Sequence, residues 1–457
     1  MVRLLPCVLL LLLSGSATAA ETRPPNLLFI LIDDLGWSDL ACQGNKLVET
    51  PHVDRLARQG MRFTDAYAAA PVCSPTRAAI MTGKSPARLH LTNHTPDRAS
   101  FTPDHSRLLP AEMLDHLPSE EVTIAERLKT AGYATGFLGK WHLSGDGRGK
   151  PEFEPTAQGF DLNVGGCGYG GPPTFFDPYR IPNLPDRQAG EYLPDRLADE
   201  AVQFMQAHRD QPFALFLWNY TVHWPMEAPD ALLAKYADRK GPGLNDTRYG
   251  AMIEAMDAAV GKVLAELDQL DLTDQTLVIF NSDNGGFGGV SDNRPLRAAK
   301  GHLYEGGIRV PLIIRWPGHV AAGSVSHTPV VSMDFFPTLA AVAGLPAESQ
   351  ADLDGVNLLP LLQGEKFTRG PICFHFPNFA WHRSNRLGGA IRSGDWKLIE
   401  RFDDNSLELY NLAEDLGERK NLADAMPRQA KSLQQQLARW REQTNAAMPR
   451  PREPASR

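Results

Sequence analysis

The chain has 457 residues, of which 42% are hydrophobic, and its formal net charge is −8 at pH 7. This length allows a large core and exceeds one ordinary domain of about 100–200 residues. A mildly acidic chain without a basic run argues against nucleic acid as a partner, because nucleic-acid binding depends on clustered Lys and Arg. The charge is compatible with a small anionic substrate, since local positive charge can oppose the net.

The chain begins with the pattern of a secretory signal peptide. Arg3 precedes an apolar run over 4–13, and small residues follow as far as Ala20. The apolar run is shorter than the ~20 residues that cross a bilayer. We therefore expect cleavage of residues 1–20 near Ala19 or Ala20, and a secreted or periplasmic protein without a membrane span.

Five short apolar runs predict buried strands of one sheet. The runs are residues 26–32, 133–138, 213–218, 277–280 and 310–314. Helical patterns lie between or after them, at residues 123–131, 248–270 and 333–343. The alternation of strands and helices predicts an α/β fold with helices on both faces of the sheet.

The predicted secondary structure changes near residue 370, from alternating strands and helices to consecutive short strands. Residues 389–399 and 407–412 are typical of short antiparallel strands, and residues 427–443 of a basic amphipathic helix. Residues 446–457 are rich in Pro and Arg and are predicted to be disordered. The predicted organisation is a signal peptide (1–20), a main domain (21–369), a C-terminal α+β subdomain (370–445) and a tail (446–457).

Cysteine usage excludes a disulfide scaffold. Cys7 belongs to the predicted signal peptide, and Cys42, Cys73, Cys167 and Cys373 are widely spaced. A single bridge among Cys42, Cys167 and Cys373 stays open at this point.

Polar side chains follow four of the predicted strands. They are Asp33 and Asp34, Lys140 and His142, His223, and Asp283 with Asn284. Ligands of open α/β sheets bind beyond the carboxyl ends of the strands, so we expect one shared site. The aspartates and Asn284 offer only oxygen ligands, which suit Ca²⁺ or Mg²⁺ better than Zn²⁺. Taken separately, Asp33-Asp34 could instead cap a helix, and Asp283-Asn284 could instead form an Asx turn.

Cys73-Ser74-Pro75-Thr76-Arg77 is the most distinctive stretch of the chain. Pro75 suits the opening turn of a helix, which places Cys73 at its first position and Arg77 on the same face one turn later. As an isolated residue, Cys73 has two simpler interpretations. It is either a small buried hydrophobe, or a thiolate activated by the helix N-terminus.

Further motifs follow in order: Gly139-Lys140-Trp141-His142, then Lys300-Gly301 with Glu305-Gly306-Gly307 and Arg309-Val310-Pro311. With these motifs the chain resembles, over about residues 24–425, the formylglycine-dependent (type I) sulfatases. These are arylsulfatase-like members of the alkaline phosphatase superfamily. The resemblance implies a large mixed central sheet flanked by helices, with a smaller C-terminal α+β subdomain built on a short antiparallel sheet. It also implies hydrolysis of a sulfate ester to an alcohol and inorganic sulfate.

The resemblance implies that a formylglycine-generating maturation enzyme oxidises Cys73 to an aldehyde. One oxygen of the aldehyde hydrate then lies on the metal, Ca²⁺ or Mg²⁺, with Asp33, Asp34, Asp283 and Asn284, and attacks sulfur. The second hydroxyl expels sulfate as the aldehyde reforms, a step that a thiol cannot perform.

The resemblance also implies roles for the surrounding cations and imidazoles. Arg77 stabilises the nucleophilic oxygen, Lys140 and Lys300 hold the sulfate, His142 removes the proton of the diol, and His223 binds sulfate or protonates the leaving group. Imidazole suits proton transfer because its pKa of ~6.5 lies near working pH. The family more often has proline directly before the histidine, where this chain has Val222.

Alternatives at this stage are a phosphate or phosphonate ester hydrolase on the same scaffold, and a silent carbohydrate-binding relative. Phosphatases of the superfamily typically use Ser or Thr with two metals and more histidine ligands, while phosphonate hydrolases can share the formylglycine chemistry. A silent relative is expected to lack Cys73, Lys140, His142 or Lys300, and all four are present. The expected partner is a sulfated small molecule or glycan of unspecified identity.

Overall fold

A computed structural model of the chain describes residues 23–347, 353–382 and 384–453. The predicted signal peptide therefore lies outside the described residues. Within those ranges, no helix has the length and apolar character needed to cross a membrane.

The described strands run from the N-terminal part of the chain to its C-terminal end. In chain order they are β1 (Asn26–Ile32), β2 (Met61–Phe63), β3 (Ala66–Tyr67), β4 (Leu108–Leu109), β5 (Ala134–Gly139), β6 (Leu162–Val164), β7 (Phe213–Trp218), β8 (Thr276–Ser282), β9 (Leu312–Arg315), β10 (Ser324–Ser326), β11 (Val330–Val331), β12 (Ile372–Phe376), β13 (Gly388–Ser393), β14 (Trp396–Arg401), β15 (Leu407–Asn411) and β16 (Arg450–Pro451). The five predicted strands correspond to β1, β5, β7, β8 and β9.

The described α-helices lie between these strands and after them. In chain order they are α1 (Pro51–Gln59), α2 (Cys73–Thr82), α3 (Ile124–Thr130), α4 (Leu193–Ala207), α5 (Asp230–Tyr236), α6 (Thr247–Gln269), α7 (Glu305–Ile308), α8 (Phe335–Val342), α9 (Leu359–Leu362) and α10 (Pro427–Gln443). The helix predicted from residue 333 begins as a 3₁₀ turn, Ser332–Asp334, and continues as α8.

The main sheet has eight strands in the order β10-β2-β9-β8-β1-β7-β5-β6. Strands β8, β1, β7, β5 and β6 are parallel, whereas β9 is antiparallel to both β8 and β2. The mixed central sheet expected from the sequence is thus confirmed. Because β8, β1, β7 and β5 are parallel neighbours, their carboxyl ends meet at one edge.

Strand β1 is apolar after Asn26 because helices cover both faces of the sheet. Leu28 and Ile30 point into the core cluster that includes α4 and α6, while Leu27 and Phe29 point into the cluster that includes α3 and α8. Alternate side chains of one strand therefore hold two helical layers, as the twofold repeat of a strand requires.

A second sheet, β12-β13-β14-β15, is antiparallel, as expected for the C-terminal part. One face packs against α10 through contacts such as Ile391 with Leu437, and the other joins Phe374 to the cluster around Val72 and Ala79 of the main body. Helix α2, which carries Cys73, is therefore packed between the large sheet and the small one.

The C-terminal tail differs from its prediction. Arg450–Pro451 forms β16, which pairs with β4, and the Arg452 N–H donates to the Arg107 carbonyl at 2.8 Å. Residues 446–453 are thus ordered against a loop of the main domain, and residues 454–457 lie outside the described residues. Cys42, Cys73, Cys167 and Cys373 are free, so the disulfide left open by the sequence does not form.

A buried ion cluster joins the two sheets. Lys397 of β14 contacts Glu305 and Glu418 at 2.8 Å each, and all three side chains are fully buried. Arg309 also contacts Glu305, at 2.7 Å. Burial raises the pKa of Glu418 to about 7 despite the adjacent Lys397 ammonium. The Glu-Gly-Gly motif thus connects the main domain to the C-terminal sheet.

Replacement of Lys397 by methionine keeps most of the side-chain volume but leaves Glu305 and Glu418 without the ammonium that they share. We expect Lys397→Met to lower the free energy of unfolding by about 3–5 kcal/mol, because it leaves buried charge uncompensated. Denaturant unfolding measures this change. Lys431→Ala, on the exposed face of α10, is the control and should stay within about 0.5 kcal/mol of the parent; equal stability of both variants would contradict the assignment.

Candidate active site

The side chains predicted from the sequence converge at the carboxyl edge of the main sheet. Asp33 and Asp34 follow β1, Lys140 and His142 follow β5, His223 follows β7, Asp283 and Asn284 follow β8, Lys300 lies between β8 and α7, and Cys73 and Arg77 belong to α2. All are buried except His223, whose side chain is 22% exposed. The geometry brings every one of these residues into one site.

Cys73 is the first residue of α2, as the sequence predicts. The Ala70 N–H donates to the Thr76 hydroxyl at 3.1 Å, which anchors the incoming loop to the first turns of the helix. All ten residues of α2 are buried, and Gly83 ends the helix in the left-handed region at φ 70°. An added Cβ at Gly83 would meet Phe336 at 3.0 Å, so both conformation and space favour glycine there.

Arg77 connects three parts of the site. Its Nε and Nη2 atoms donate to Asp283 Oδ2 at 2.9 and 2.7 Å, and Nη1 donates to the Lys140 carbonyl at 2.5 Å. Burial lowers the pKa of Arg77, but the carboxylates of Asp283 and Asp33 outweigh it and raise the pKa. Arg77 is therefore permanently charged, and its side chain is buried in the site and not exposed to solvent.

Two lysines neutralise the first pair of acids. Lys140 Nζ lies 2.5 Å from Asp33 Oδ2, and Lys300 Nζ lies 2.6 Å from Asp34 Oδ1. Burial lowers the pKa of Lys300, but the Asp34 carboxylate raises it more strongly, so the ammonium stays charged. For Asp34, burial raises the pKa, and Lys300 with His223 brings it below its usual range.

The oxygen set contains acceptors with no hydrogen-bond partner among the described residues. These buried atoms are Asp33 Oδ1, Asp34 Oδ2 and Asn284 Oδ1. Burial raises the pKa of Asp33 well above its usual value, and the nearby Asp283 carboxylate raises it further. The second effect is repulsion between neighbouring negative charges. A hard divalent cation satisfies free carboxylate and amide oxygens and relieves this repulsion, so the donor set fits Ca²⁺ or Mg²⁺.

Residue 73 lies at the centre of this charged set. Cys73 Sγ and carboxylate oxygens of Asp33 and Asp283 lie within 4.8 Å of one another. Burial raises the pKa of the Cys73 thiol despite Lys140 and Lys300, so activation as a thiolate is not supported. Its surroundings are charged, which also disfavours a role as a small hydrophobe.

The orientation of His142 follows from its partners. Nε2 lies 2.5 Å from the Thr95 carbonyl, and Nδ1 lies 3.4 Å from Cys73 Sγ. A carbonyl only accepts hydrogen bonds, so Nε2 carries the proton and Nδ1 presents a lone pair to residue 73. Burial and the Lys140 ammonium lower the pKa of His142 well below its usual value, which keeps the ring neutral.

His223 lies on the open side of the site. Nδ1 lies 2.9 Å from the Trp224 carbonyl, so Nε2 is left to face Asp34 Oδ2 at 3.8 Å. A ring nitrogen of His223 and carboxylate oxygens of Asp33 and Asp34 lie within 4.8 Å of one another, as the ligands of one metal ion would. His223 can therefore serve either the cation or the substrate.

A cavity of about 310 Å³ opens above these groups. Its lining includes Cys73, His142, His223 and Lys300. A larger cleft of about 570 Å³, lined by Glu154, Asn183 and Arg196 among others, includes none of the residues of the site in its lining. The smaller cavity is the candidate substrate pocket because the reactive groups face it.

Other lining residues of the pocket carry no sequence motif. They are His94, Arg98, Phe101, Phe287 and Trp381. Most of them lie in the segment before β4 or in the loop between β12 and β13. Thr92 with Asn378 (2.7 Å) and Asn93 with the Phe379 carbonyl (2.9 Å) hold these two segments together. The only sequence signal was that both segments lack strand or helix patterns, which marks them as loops.

Comparisons with known proteins agree with this geometry. The sulfatase family matches residues 25–345, and the family described as N-sulphoglucosamine sulphohydrolase, C-terminal, matches residues 298–445. The chain is 36% identical over 450 residues to N-acetylgalactosamine-6-sulfatase of Mus musculus, covering 91% of this chain and 80% of that protein. It is 33% identical over 490 residues to arylsulfatase A of Homo sapiens, covering 93% and 89%.

A solved structure has the same fold. The crystal structure of Ps i-CgsB in complex with k-i-k-neocarrahexaose superposes with a TM-score of 0.79 at 31% identity, covering 92% of this chain and 94% of that chain. The family match covers well over half of the chain. The chain therefore belongs to the type I sulfatases of the alkaline phosphatase superfamily and is a sulfuric ester hydrolase.

Proposed function

We propose that Cys73 is converted to formylglycine, and that Asp33, Asp34, Asp283 and Asn284 bind Ca²⁺ beside it, with Mg²⁺ as the alternative ion. The substrate is the sulfate ester of a glycan or a small molecule. The observation that carries this proposal is that Cys73 Sγ lies within 4.8 Å of oxygens of Asp33 and Asp283. No other described cysteine forms such a group with carboxylates.

When present, the aldehyde hydrate supplies an oxygen nucleophile for sulfur, and the cation supplies positive charge beside it. His142 Nδ1 is placed to accept a proton from residue 73, because its lone pair faces that side chain at 3.4 Å. Thr95 fixes the tautomer through its carbonyl. The chain itself thus provides the base that this step needs.

The cations of the site are placed to bind and orient the sulfate group. Lys300 lines the pocket, and Lys140 is buried and paired with Asp33, whose carboxylate lies beside Cys73. Arg77 holds Asp283 through two hydrogen bonds and leaves Asp283 Oδ1 for the cation and for the Asp34 N–H at 3.2 Å. His223 faces the pocket with Nε2, while its Nδ1–H donates to the Trp224 carbonyl. Burial lowers the pKa of His223 to about 3, so Nε2 must first gain a proton before it can donate to the leaving oxygen or to the sulfate.

A second candidate is a phosphate or phosphonate ester hydrolase at the same site. The observation that favours it is that His223 can join Asp33 and Asp34 as a metal ligand, which adds nitrogen to the donor set. A panel of matched sulfate, phosphate and phosphonate esters separates the two candidates. We expect kcat/KM to be highest for the sulfate ester.

We also propose that the chain is exported, to the periplasm or out of the cell, after removal of residues 1–20. The support is the sequence of that segment alone. Its route must bring Cys73 to the maturation enzyme before α2 is packed, since the whole helix is buried in the folded protein.

Removal of the thiol at position 73 tests the proposed nucleophile. We expect Cys73→Ala to lower kcat by roughly 10³-fold or more, as for loss of the nucleophile in other hydrolases. The far-ultraviolet circular dichroism spectrum should not change, because the substitution makes the side chain smaller only by its sulfur. Cys42→Ala, a cysteine outside the site, should retain activity, and full activity of Cys73→Ala would end the proposal.

The modification itself is directly measurable. A peptide that spans residue 73, from protein made with the maturation enzyme, should have lost sulfur and gained oxygen by mass spectrometry. It should also react with a hydrazide probe, which labels aldehydes. A peptide spanning Cys373 is the control and should keep its thiol; an unmodified Cys73 in fully active enzyme would contradict the formylglycine assignment.

Metal content tests the oxygen set independently of turnover. We expect Asp283→Asn to bind less Ca²⁺ by elemental analysis, and chelation to lower the thermal unfolding midpoint of the parent protein, because a ligand that binds only the folded state stabilises it. Added Ca²⁺ should restore the midpoint. Asp115→Asn, at an exposed carboxylate, is the matched control, and equal metal content of the two variants would refute the assignment.

A further inference from the structure

The pocket has two parts with different electrostatics. At its base, each cation is paired with a carboxylate, as for Lys300 with Asp34 at 2.6 Å. Arg98, which lines the same pocket, is exposed and has no ion pair or side-chain hydrogen bond within the described ranges. An unpaired guanidinium at the wall of a pocket attracts anions.

The carboxylate next to Arg98 in sequence is occupied elsewhere. Asp97 accepts hydrogen bonds from the side chains of Asn93 and Asn378, at 2.9 and 3.0 Å, one on each oxygen. Burial raises the pKa of Asp97, and Asp97 is not among the pocket-lining residues. Both oxygens of Asp97 are thus held by amide donors, and the described residues show no ion pair between Asp97 and Arg98.

The backbone at Arg98 has a defined position. The Phe101 N–H donates to the Arg98 carbonyl at 2.9 Å, which closes a turn at the start of a short 3₁₀ segment, Ala99–Phe101. Asn93 and Asn378 attach this loop to the loop between β12 and β13 through Asp97. Arg98 thus extends from a fixed turn and not from a free loop tip.

Aromatic rings form part of the wall of the pocket. The His94 ring lies 5.4 Å from both the Phe101 ring and the Trp381 ring, and Trp381 is nearly parallel to Phe287 at 5.8 Å. Burial lowers the pKa of His94 to about 4, so this wall stays uncharged near neutral pH. Such a wall fits the carbon face of a ring and offers no charge of its own.

The volume limits what the pocket can hold. The pocket has a volume of about 310 Å³, at the small end of the roughly 300–1,000 Å³ range of ligand pockets. A pocket of this size suits one ring with its sulfate group, and Arg98, an exposed lining residue, is accessible to a further group of that ring.

We propose that Arg98 and the aromatic wall form a subsite for a second anionic group, so that the preferred substrate is a sulfated sugar ring bearing a further sulfate or carboxylate. This inference rests on the proposed hydrolysis of sulfate esters at Cys73. A guanidinium group binds either a sulfate or a carboxylate through two parallel hydrogen bonds. The chemistry of Arg98 therefore predicts a negative charge on the second group, and experiment must decide between sulfate and carboxylate.

The test compares kcat/KM for positional isomers of a hexose monosulfate, of the same hexose disulfate, and of a sulfated hexuronate. We expect the parent enzyme to prefer a substrate with two anionic groups. Arg98→Ala should lower the ratio of disulfate to monosulfate, or of hexuronate to monosulfate, by about 10- to 100-fold, as for loss of a charge-assisted hydrogen bond. Whichever ratio changes more identifies the second group.

Three comparisons distinguish loss of recognition of the second anion from a general loss of activity. Arg98→Lys should restore part of the preference, because it keeps the charge and loses the two parallel hydrogen bonds. Arg107→Ala, in the same loop but outside the pocket lining, should leave the ratio unchanged. The preference of the parent enzyme should weaken as ionic strength rises, whereas the ratio for Arg98→Ala should stay flat.

The outcomes distinguish the two proposals. If the matured enzyme hydrolyses monosulfates and shows no preference for a second anion, the subsite is overturned and the sulfatase mechanism stands. If it hydrolyses no sulfate ester, the mechanism fails, and calorimetric binding decides the subsite. In that measurement Cys73→Ala should bind the hexose disulfate at least about tenfold more tightly than Cys73→Ala/Arg98→Ala; equal affinity would refute the subsite.

Discussion

The pairing of each buried carboxylate with its own cation is the constraint on which this site depends. Asp33, Asp34 and Asp283 are fully buried, and a buried charge without a partner is costly. Each carboxylate has its own cation: Lys140 pairs with Asp33, Lys300 with Asp34 and Arg77 with Asp283. The three cations come from β5, from the loop before α7 and from α2, so the demand for charge balance draws distant segments to one edge of the sheet.

The position of residue 73 follows from that pairing. Arg77 must reach Asp283, and the α-helix then places Cys73 one turn earlier, at the helix N-terminus and beside the carboxylates. The formal charges of the three carboxylates and three cations cancel, so a bound divalent cation would make the site positive. A positive site at the base of a neutral-walled pocket suits an anionic ester and its sulfate product.

The C-terminal sheet supports the loop that carries Lys300. Arg297, three residues earlier, donates to the Tyr410 hydroxyl at 2.9 Å and to the Glu418 carbonyl at 2.8 Å. Glu305, five residues later, accepts from Lys397. Both ends of the segment are therefore held by β14, β15 and the turn after them. The small sheet therefore helps to position the segment that brings Lys300 to the site.

The sequence alone determined the parts of the protein that depend on local pattern. Apolar runs placed β1, β5, β7 and β8, and because these strands are parallel, the residues after them had to meet. The Cys73–Arg77 spacing likewise defined one helix face. Loop packing could not be predicted: His94, Arg98 and Trp381 meet through contacts such as Thr92 with Asn378, 286 residues apart. The proton position on His142, the free cysteines and the pairing of β16 with β4 are also tertiary results, since each depends on partners that no local periodicity specifies.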